Sequence, residues 1–106
     1  MFIIDHQKRD KKKLKYISLS GPENGVYYRG KLKGSKTIQL PEEWEWLVDP
    51  TTVTVNLTPV GSPQLLFVKG IQGREIVIES HTVLPINCHF TVYGERADVP
   101  KAVVVN

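Results

Sequence analysis

The 106 residues are enough for one domain with a modest core, and a composition of 41% apolar and 24% charged residues does not suggest a disordered chain. The net charge of +3 is uneven: residues 1–15 hold six basic and two acidic side chains, whereas residues 16–106 hold eight basic and nine acidic ones. Since a domain that grips nucleic acid across one face should also be basic on its strands, the near-neutral body argues against that class of partner.

The chain shows no sign of secretion. It has one cysteine, Cys88, which excludes an intrachain disulfide. The apolar run Phe2–Ile4 precedes the charged residues, the reverse of the order in a secretory signal, and no apolar run has the length of a membrane span. We therefore expect a protein that folds in a cytoplasm, is not secreted and does not span a membrane.

The N-terminal half predicts short strands. Residues 1–14 form an arm with a basic link, in which 2–5 is a strand or extended segment, and one β domain occupies 15–106. Alternating apolar residues predict strands at 15–20, 26–33 and 36–40. Gly30 indicates a bulge or a close approach of another group, and Gly34-Ser35 predicts a tight hairpin between the second and third of these strands.

The middle of the chain predicts a short helix followed by a strand. Pro41 suits a first helical position, the two glutamates after it complement the helix dipole, and Pro50 ends the helix, which places it at 41–48. The next segment alternates apolar and polar side chains, and its apolar members are Val53, Val55 and Leu57.

The C-terminal half predicts strands at 64–69, 74–80 and 87–95, with 70–73 as a turn. In the last of these strands Cys88, Phe90 and Val92 share one face. Residues 99–105 are apolar enough to need a partner. Strands at this spacing with Gly/Pro turns predict an all-β sandwich or barrel with one short helix.

No set of residues predicts catalysis, a cofactor or a metal site. The three histidines (His6, His81 and His89) and Cys88 lack zinc-type spacing, and neighbours on a strand point to opposite faces. Cys88 is expected to be a buried small hydrophobe. We therefore expect no enzyme.

Two alternatives concern ligands. Trp44 and Trp46 lie among glutamates, as in sites where an aromatic face stacks on a sugar ring, although two residues so spaced on a helix cannot face the same way and at least one should be core. The basic run 8–13 could bind a phosphate-rich partner, which would make the chain a nucleic-acid-associated β barrel. We favour a solvated link for this run.

Several motifs follow one another in an order that resembles the β-rich domain of structural and tail-fibre-like proteins of contractile-tailed phages, notably cyanophages, and of related prophage proteins. The segments that carry this resemblance are Phe2-Ile3-Ile4-Asp5-His6, residues 20–30 (SGPENGVYYRG), residues 38–44 (IQLPEEW), residues 47–50 (LVDP), residues 52–61 (TVTVNLTPVG), residues 85–88 (PINC) and residues 92–99 (VYGERADV). The segment 7–13 departs from the pattern, because it is richer in lysine.

The resemblance implies a virion fibre or tip module that is homotrimeric, is not an enzyme, and contacts other virion or fibre proteins or a glycan on the host surface. Open apolar strands fit such a trimer, since subunit association covers them. Two apolar segments are expected to pair with another strand or subunit, 2–4 and 103–105. The expected ligand or subunit contacts are Phe2, Ile3, Ile4, Tyr27, Trp44 and Trp46.

Overall fold

The computed structural model describes residues 2–5, 7, 13–16 and 23–99. The described elements are β1 (Phe2–Asp5), β2 (Lys13–Tyr16), β3 (Gly25–Lys33), β4 (Thr37–Gln39), α1 (Trp44–Leu47), β5 (Thr54–Pro59), β6 (Leu66–Gln72), β7 (Glu75–Ser80) and β8 (Asn87–Glu95). A 3₁₀ turn, Pro50–Thr52, lies between α1 and β5. The prediction of an all-β chain with one short helix near 41–48 is confirmed.

The strands form three antiparallel sheets. β1 pairs with β2, the second sheet has the order β3-β8-β5, and the third has the order β4-β7-β6. The two three-stranded sheets, α1 and the connecting segments contribute to a single hydrophobic core, whose members are Val26, Leu32, Ile38, Leu40, Trp44, Leu47, Val48, Ile76, Ile78, Ile86, Cys88, Phe90 and Val92. No sheet within the described ranges closes on itself, so these strands do not form a closed barrel.

β8 is the central strand of its sheet, with β3 on one side and β5 on the other. Its buried positions alternate as expected, because the backbone pleat sends successive side chains to opposite faces. Cys88, Phe90 and Val92 point into the core, whereas His89 and Tyr93 are exposed. The predicted faces of this strand are confirmed.

Gly30 marks a close approach and not a bulge. The register of β3 and β8 runs unbroken through the pair Gly30↔Phe90. A Cβ at Gly30 would lie 2.8 Å from Cζ of Phe90, closer than real Cβ contacts, so the aromatic ring uses the space that the missing side chain leaves. Of the two alternatives for this glycine, the close approach is confirmed.

The α-helix begins at Trp44 with Glu43 as its N-cap, three residues after the predicted start at 41, and a hydrogen-bonded turn at Pro41 leads into it. The backbone N–H of Trp44 donates to the carbonyl of Pro41 (3.1 Å), and that of Leu47 donates to the carbonyl of Glu43 (2.9 Å). Trp44 and Leu47, three residues apart, are both buried, which anchors α1 to the core. After the helix, Oδ1 of Asp49 accepts hydrogen bonds from the backbone N–H of Thr51 (3.0 Å) and from its hydroxyl (2.7 Å), which starts the 3₁₀ turn.

The predicted hairpin at Gly34-Ser35 is wrong. β3 and β4 belong to different sheets, and β4 pairs with β7. Gly34 has a φ of 77° and donates its N–H to the carbonyl of Ile86 (2.7 Å). The glycine therefore turns the chain from one sheet to the other, because its left-handed conformation sets a local bend without choosing the next strand's partner.

β6 extends beyond the predicted strand. It reaches Gln72, where 70–73 was expected to be a turn, and its register with β7 shifts between Val68 and Gly70. The extra residue of this bulge reverses the alternation, so Ile71 comes opposite the buried Ile76. The residue pattern of β6 alone does not reveal the bulge or the extra strand residues, because both depend on how β6 pairs with β7.

The N-terminal residues form a hairpin-like pair whose connecting residues lie largely outside the described ranges. Phe2 pairs with Tyr16 and Asp5 with Lys13, so β2 begins earlier than the predicted 15–20 strand, whose residues 17–20 lie outside the described ranges. The expected boundary between an arm and a β domain, at 14/15, falls inside β2. The predicted pairing segment 103–105 lies outside the described residues.

Candidate functional site

Trp44 belongs to the core and does not offer a face to a ligand. Its side chain is 4% exposed, and its indole Nε1–H donates to the hydroxyl of Tyr16 (3.3 Å). That hydroxyl in turn donates to Oε1 of Glu43 (2.7 Å). Trp44 therefore has no ring surface on which a sugar could stack, whereas Trp46 is half-buried and packs against the core.

The hydroxyl of Tyr16 joins β2 to the segment that enters α1. Its burial, together with the hydrogen bond to Glu43, raises the pKa of Tyr16 well above its usual value. A neutral hydroxyl both accepts from the indole and donates to the carboxylate, so this arrangement stabilises packing between the N-terminal strand pair and the body.

The Phe2 side chain of β1 contacts Arg96, the residue that follows β8. The guanidinium carbon of Arg96 lies 3.6 Å from the centroid of the Phe2 ring. Asp98 accepts from Arg96 through two hydrogen bonds, at 2.9 and 2.7 Å, which orients the guanidinium group over the ring. Phe2 and Ile4 are half-buried against their own chain, while Ile3 is exposed.

The exposed side chains of the β3-β8-β5 sheet form a second candidate site, which we call the basic sheet face. In β3, Tyr27, Arg29, Lys31 and Lys33 point away from the core, because the intervening residues of that strand face inward. Register brings them beside the outward residues of the other two strands. The face consists of Tyr27, Arg29, Lys31, Lys33, Thr54, Asn56, Thr58, His89, Thr91 and Tyr93, with Asn87 and Glu95 at its two ends.

Two tyrosines lie next to each other at one end of this face. Tyr27 and Tyr93 are Cα partners and are 47% and 38% exposed. Beyond them the face becomes basic: Arg29 is opposite Thr91, and Lys31 is opposite His89. A depression of about 420 Å³ is lined by Arg29, Gly30, Lys31, His89, Phe90 and Thr91.

The basic sheet face corrects the expectation that the strands carry no basic surface. Among the described acidic residues, Glu95 alone occupies a register position on this side, opposite Gly25 at the end of the sheet. The near-neutral total charge of residues 16–106 does not reveal this face, because the basic side chains are collected on it and most acidic side chains lie elsewhere. Alternation of Arg29, Lys31 and Lys33 was the signal in the sequence that could have revealed it.

The predicted contact residue Tyr27 thus lies beside Tyr93, a residue that the sequence did not single out. Tyr27 and Ile3 are on different sheets.

Cys88 is fully buried, and burial raises the pKa of its thiol, which fits the predicted packing role. Within the described ranges no group of three or more His, Cys, Asp or Glu residues could hold a metal ion. No helix in the described part of the chain is both long and apolar enough to cross a membrane.

Comparisons with protein-family models, with curated proteins and with solved structures gave no match to this chain. The described part of the chain is a β-rich module of three sheets with a short helix, and its N-terminal strand pair packs on the core.

Proposed function

We propose that the chain is a non-enzymatic structural module of a phage virion, of the tail-fibre-like kind, that assembles as a homotrimer in the host cytoplasm. The ordered motifs that resemble such domains support this, and so does what their residues do. Trp44 packs in the core, Asp49 caps a turn and Gly94 lets α1 approach β8. Packing contacts of this kind are what a structural module requires.

An apolar patch beside the β6 edge is the observation that supports association between copies, and the number of three copies comes from the resemblance. Leu65 and Phe67 are exposed, and the backbone N–H of His81 donates to the carbonyl of Leu65 (3.1 Å), which brings the following loop to the same end of the sheet. Val83 and Leu84 in that loop are also exposed. We call Leu65, Phe67, Val83 and Leu84 the β6 patch, and a second copy is the partner that would cover it.

Analytical ultracentrifugation of the full chain at micromolar concentration tests the assembly. One chain has a mass of 12.0 kDa, so a trimer has three times that mass, 36 kDa. A species at the trimer mass supports the proposal, and a single monomeric species across the concentration range contradicts it.

Immunogold electron microscopy tests the placement in a virion. Antibodies raised against the chain should label particles purified from a culture of the source phage or an induced prophage, at the tail or its fibres. Labelling that is confined to cell debris, with unlabelled particles, would contradict a virion role.

The second candidate function is nucleic-acid binding through the basic run 8–13, and it stays a prediction. Deleting residues 1–15 would remove β1 and most of β2, which pack on the core. A loss of binding could then come either from the lost charges or from a disturbed fold. Replacing Lys8, Arg9, Lys11 and Lys12 by alanine is the cleaner test. If the run binds nucleic acid, these changes should weaken binding and lower its salt dependence.

A further inference from the structure

We infer that the basic sheet face binds an acidic polysaccharide, with the cations of β3 holding its carboxylate groups. The inference goes beyond the proposed function and does not depend on trimer formation. It rests on three observations: the cations stand in a row on β3, polar side chains of β8 and β5 lie on the same face, and two tyrosines are exposed at one end of it.

The row of cations suits a chain of spaced anions. Arg29, Lys31 and Lys33 alternate along one edge strand, so neighbouring members are about 6.6 Å apart along the strand axis. All three are exposed, and the strands of this face carry no carboxylate beside them. Arg29 can hold a carboxylate through two parallel hydrogen bonds, while the lysines act as point charges.

The rest of the face suits sugar rings. Thr54, Asn56 and Thr58 of β5 are exposed and can donate to and accept from sugar hydroxyls. Tyr27 and Tyr93 combine an apolar ring with a hydroxyl, which suits them to contact with a surface that is part apolar and part wet. The depression between the tyrosines and Lys33 lies within the size range of small-ligand sites, which is about 300–1,000 Å³.

Charge distribution favours a polysaccharide over a single-stranded nucleic acid as the occupant. Proteins that hold nucleic acid use a positively charged groove that follows many successive phosphates. Here the face holds three lysines or arginines, all on β3, and the neighbouring side chains of β8 and β5 on this face are mostly uncharged and polar. A polymer that combines carboxylates with many hydroxyl groups matches this mixture of cations and uncharged hydrogen-bonding side chains.

The test compares two double variants of the full chain by biolayer interferometry on immobilised polygalacturonate at about 150 mM salt. Arg29→Ala/Lys31→Ala removes two cations from the face. Lys36→Ala/Lys69→Ala removes two exposed cations that lie outside it and is the matched control. The N-terminal lysines are present in both variants, so they cannot account for a difference.

We expect Arg29→Ala/Lys31→Ala to weaken binding about tenfold or more, and the control to change it less than about twofold. Tyr27→Ala should also weaken binding, and neutral dextran should not bind. Equal losses in the two double variants, or no binding of the parent chain, would overturn the inference. Tighter binding to oligothymidylate than to polygalacturonate would overturn it in favour of nucleic acid. Circular dichroism of each variant verifies that it is folded.

Discussion

The contact between β8 and α1 depends on Gly94 having no side chain. A Cβ at this position would collide with Cγ1 of Val48 and lie 3.4 Å from Cζ3 of Trp44. Both neighbours are buried, so neither can move aside freely.

Gly94→Ala should therefore destabilise the chain by about 1–3 kcal/mol through overpacking. Gly25→Ala is the matched control, because it lies in the adjacent strand and its new Cβ would be 3.5 Å from the carbonyl oxygen of Gly94, an ordinary contact. Urea unfolding measures both. If both variants lose the same free energy of unfolding, the collision with Val48 is not the cause of the destabilisation.

The hydroxyl of Tyr16 leads to a second prediction at this scale. Tyr16→Phe leaves the buried indole N–H of Trp44 without this acceptor and should cost about 1–3 kcal/mol, whereas Tyr27→Phe, on the exposed face, should cost little. Urea unfolding near neutral pH measures the difference.

The same hydroxyl should make stability depend on alkaline pH. The folded chain holds the Tyr16 proton more tightly than the unfolded chain, because burial raises its pKa above the ordinary 10.0. This contribution is fully present below that value and is lost as the pH rises through and above it. Between about pH 9 and about pH 11, the parent chain should lose more stability than Tyr16→Phe. Parallel losses would contradict the assignment.

Among the elements, the 3₁₀ turn between α1 and β5 depends on Asp49. Its carboxylate caps the turn at the backbone N–H of Thr51, and its own N–H donates to the carbonyl of Glu95 (2.9 Å). The turn thus ties α1 to the end of the central strand.

Asp49→Ala should cost about 0.5–2 kcal/mol, because the N–H of Thr51 loses its acceptor. Asp49→Asn keeps an acceptor oxygen at the same position and should recover most of that stability. Thermal unfolding of the three proteins compares them. An asparagine variant as unstable as the alanine variant would show that the carboxylate acts through its charge and not as a cap.

For the whole molecule, the β6 patch is the surface through which copies would associate in the proposed trimer. Leu65→Lys/Phe67→Lys should convert the trimer to monomers, because it puts two charges into the covered surface, while each monomer keeps its fold since both side chains are exposed. Light scattering measures the mass. Ile3→Lys is the comparison, since Ile3 is an exposed apolar residue on another sheet. If Ile3→Lys alone dissociates the trimer, the interface is at β1.

Much of the fold followed from local patterns. The strands at 26–33, 74–80 and 87–95 and the helix after Pro41 could be predicted because alternation, proline positions and glycine turns act within a few residues. Gly30 could be predicted to mark a bulge or a close approach because a glycine inside a strand pattern is itself a local signal. The site was predicted less well: Tyr27 was named, but the cations beside it were averaged into a near-neutral body charge.

Pairing between distant segments was decided only in the folded chain. The sequence at Gly34 demands a bend, yet β4 pairs with β7 and not with β3, since burying Ile38 against Ile76 is a long-range choice. Likewise, Trp44 became core and Tyr93 became surface because of what packs around them. Local chemistry thus determines where strands and turns form, and tertiary packing determines which faces meet water, because burial is a property of neighbours that one strand cannot specify.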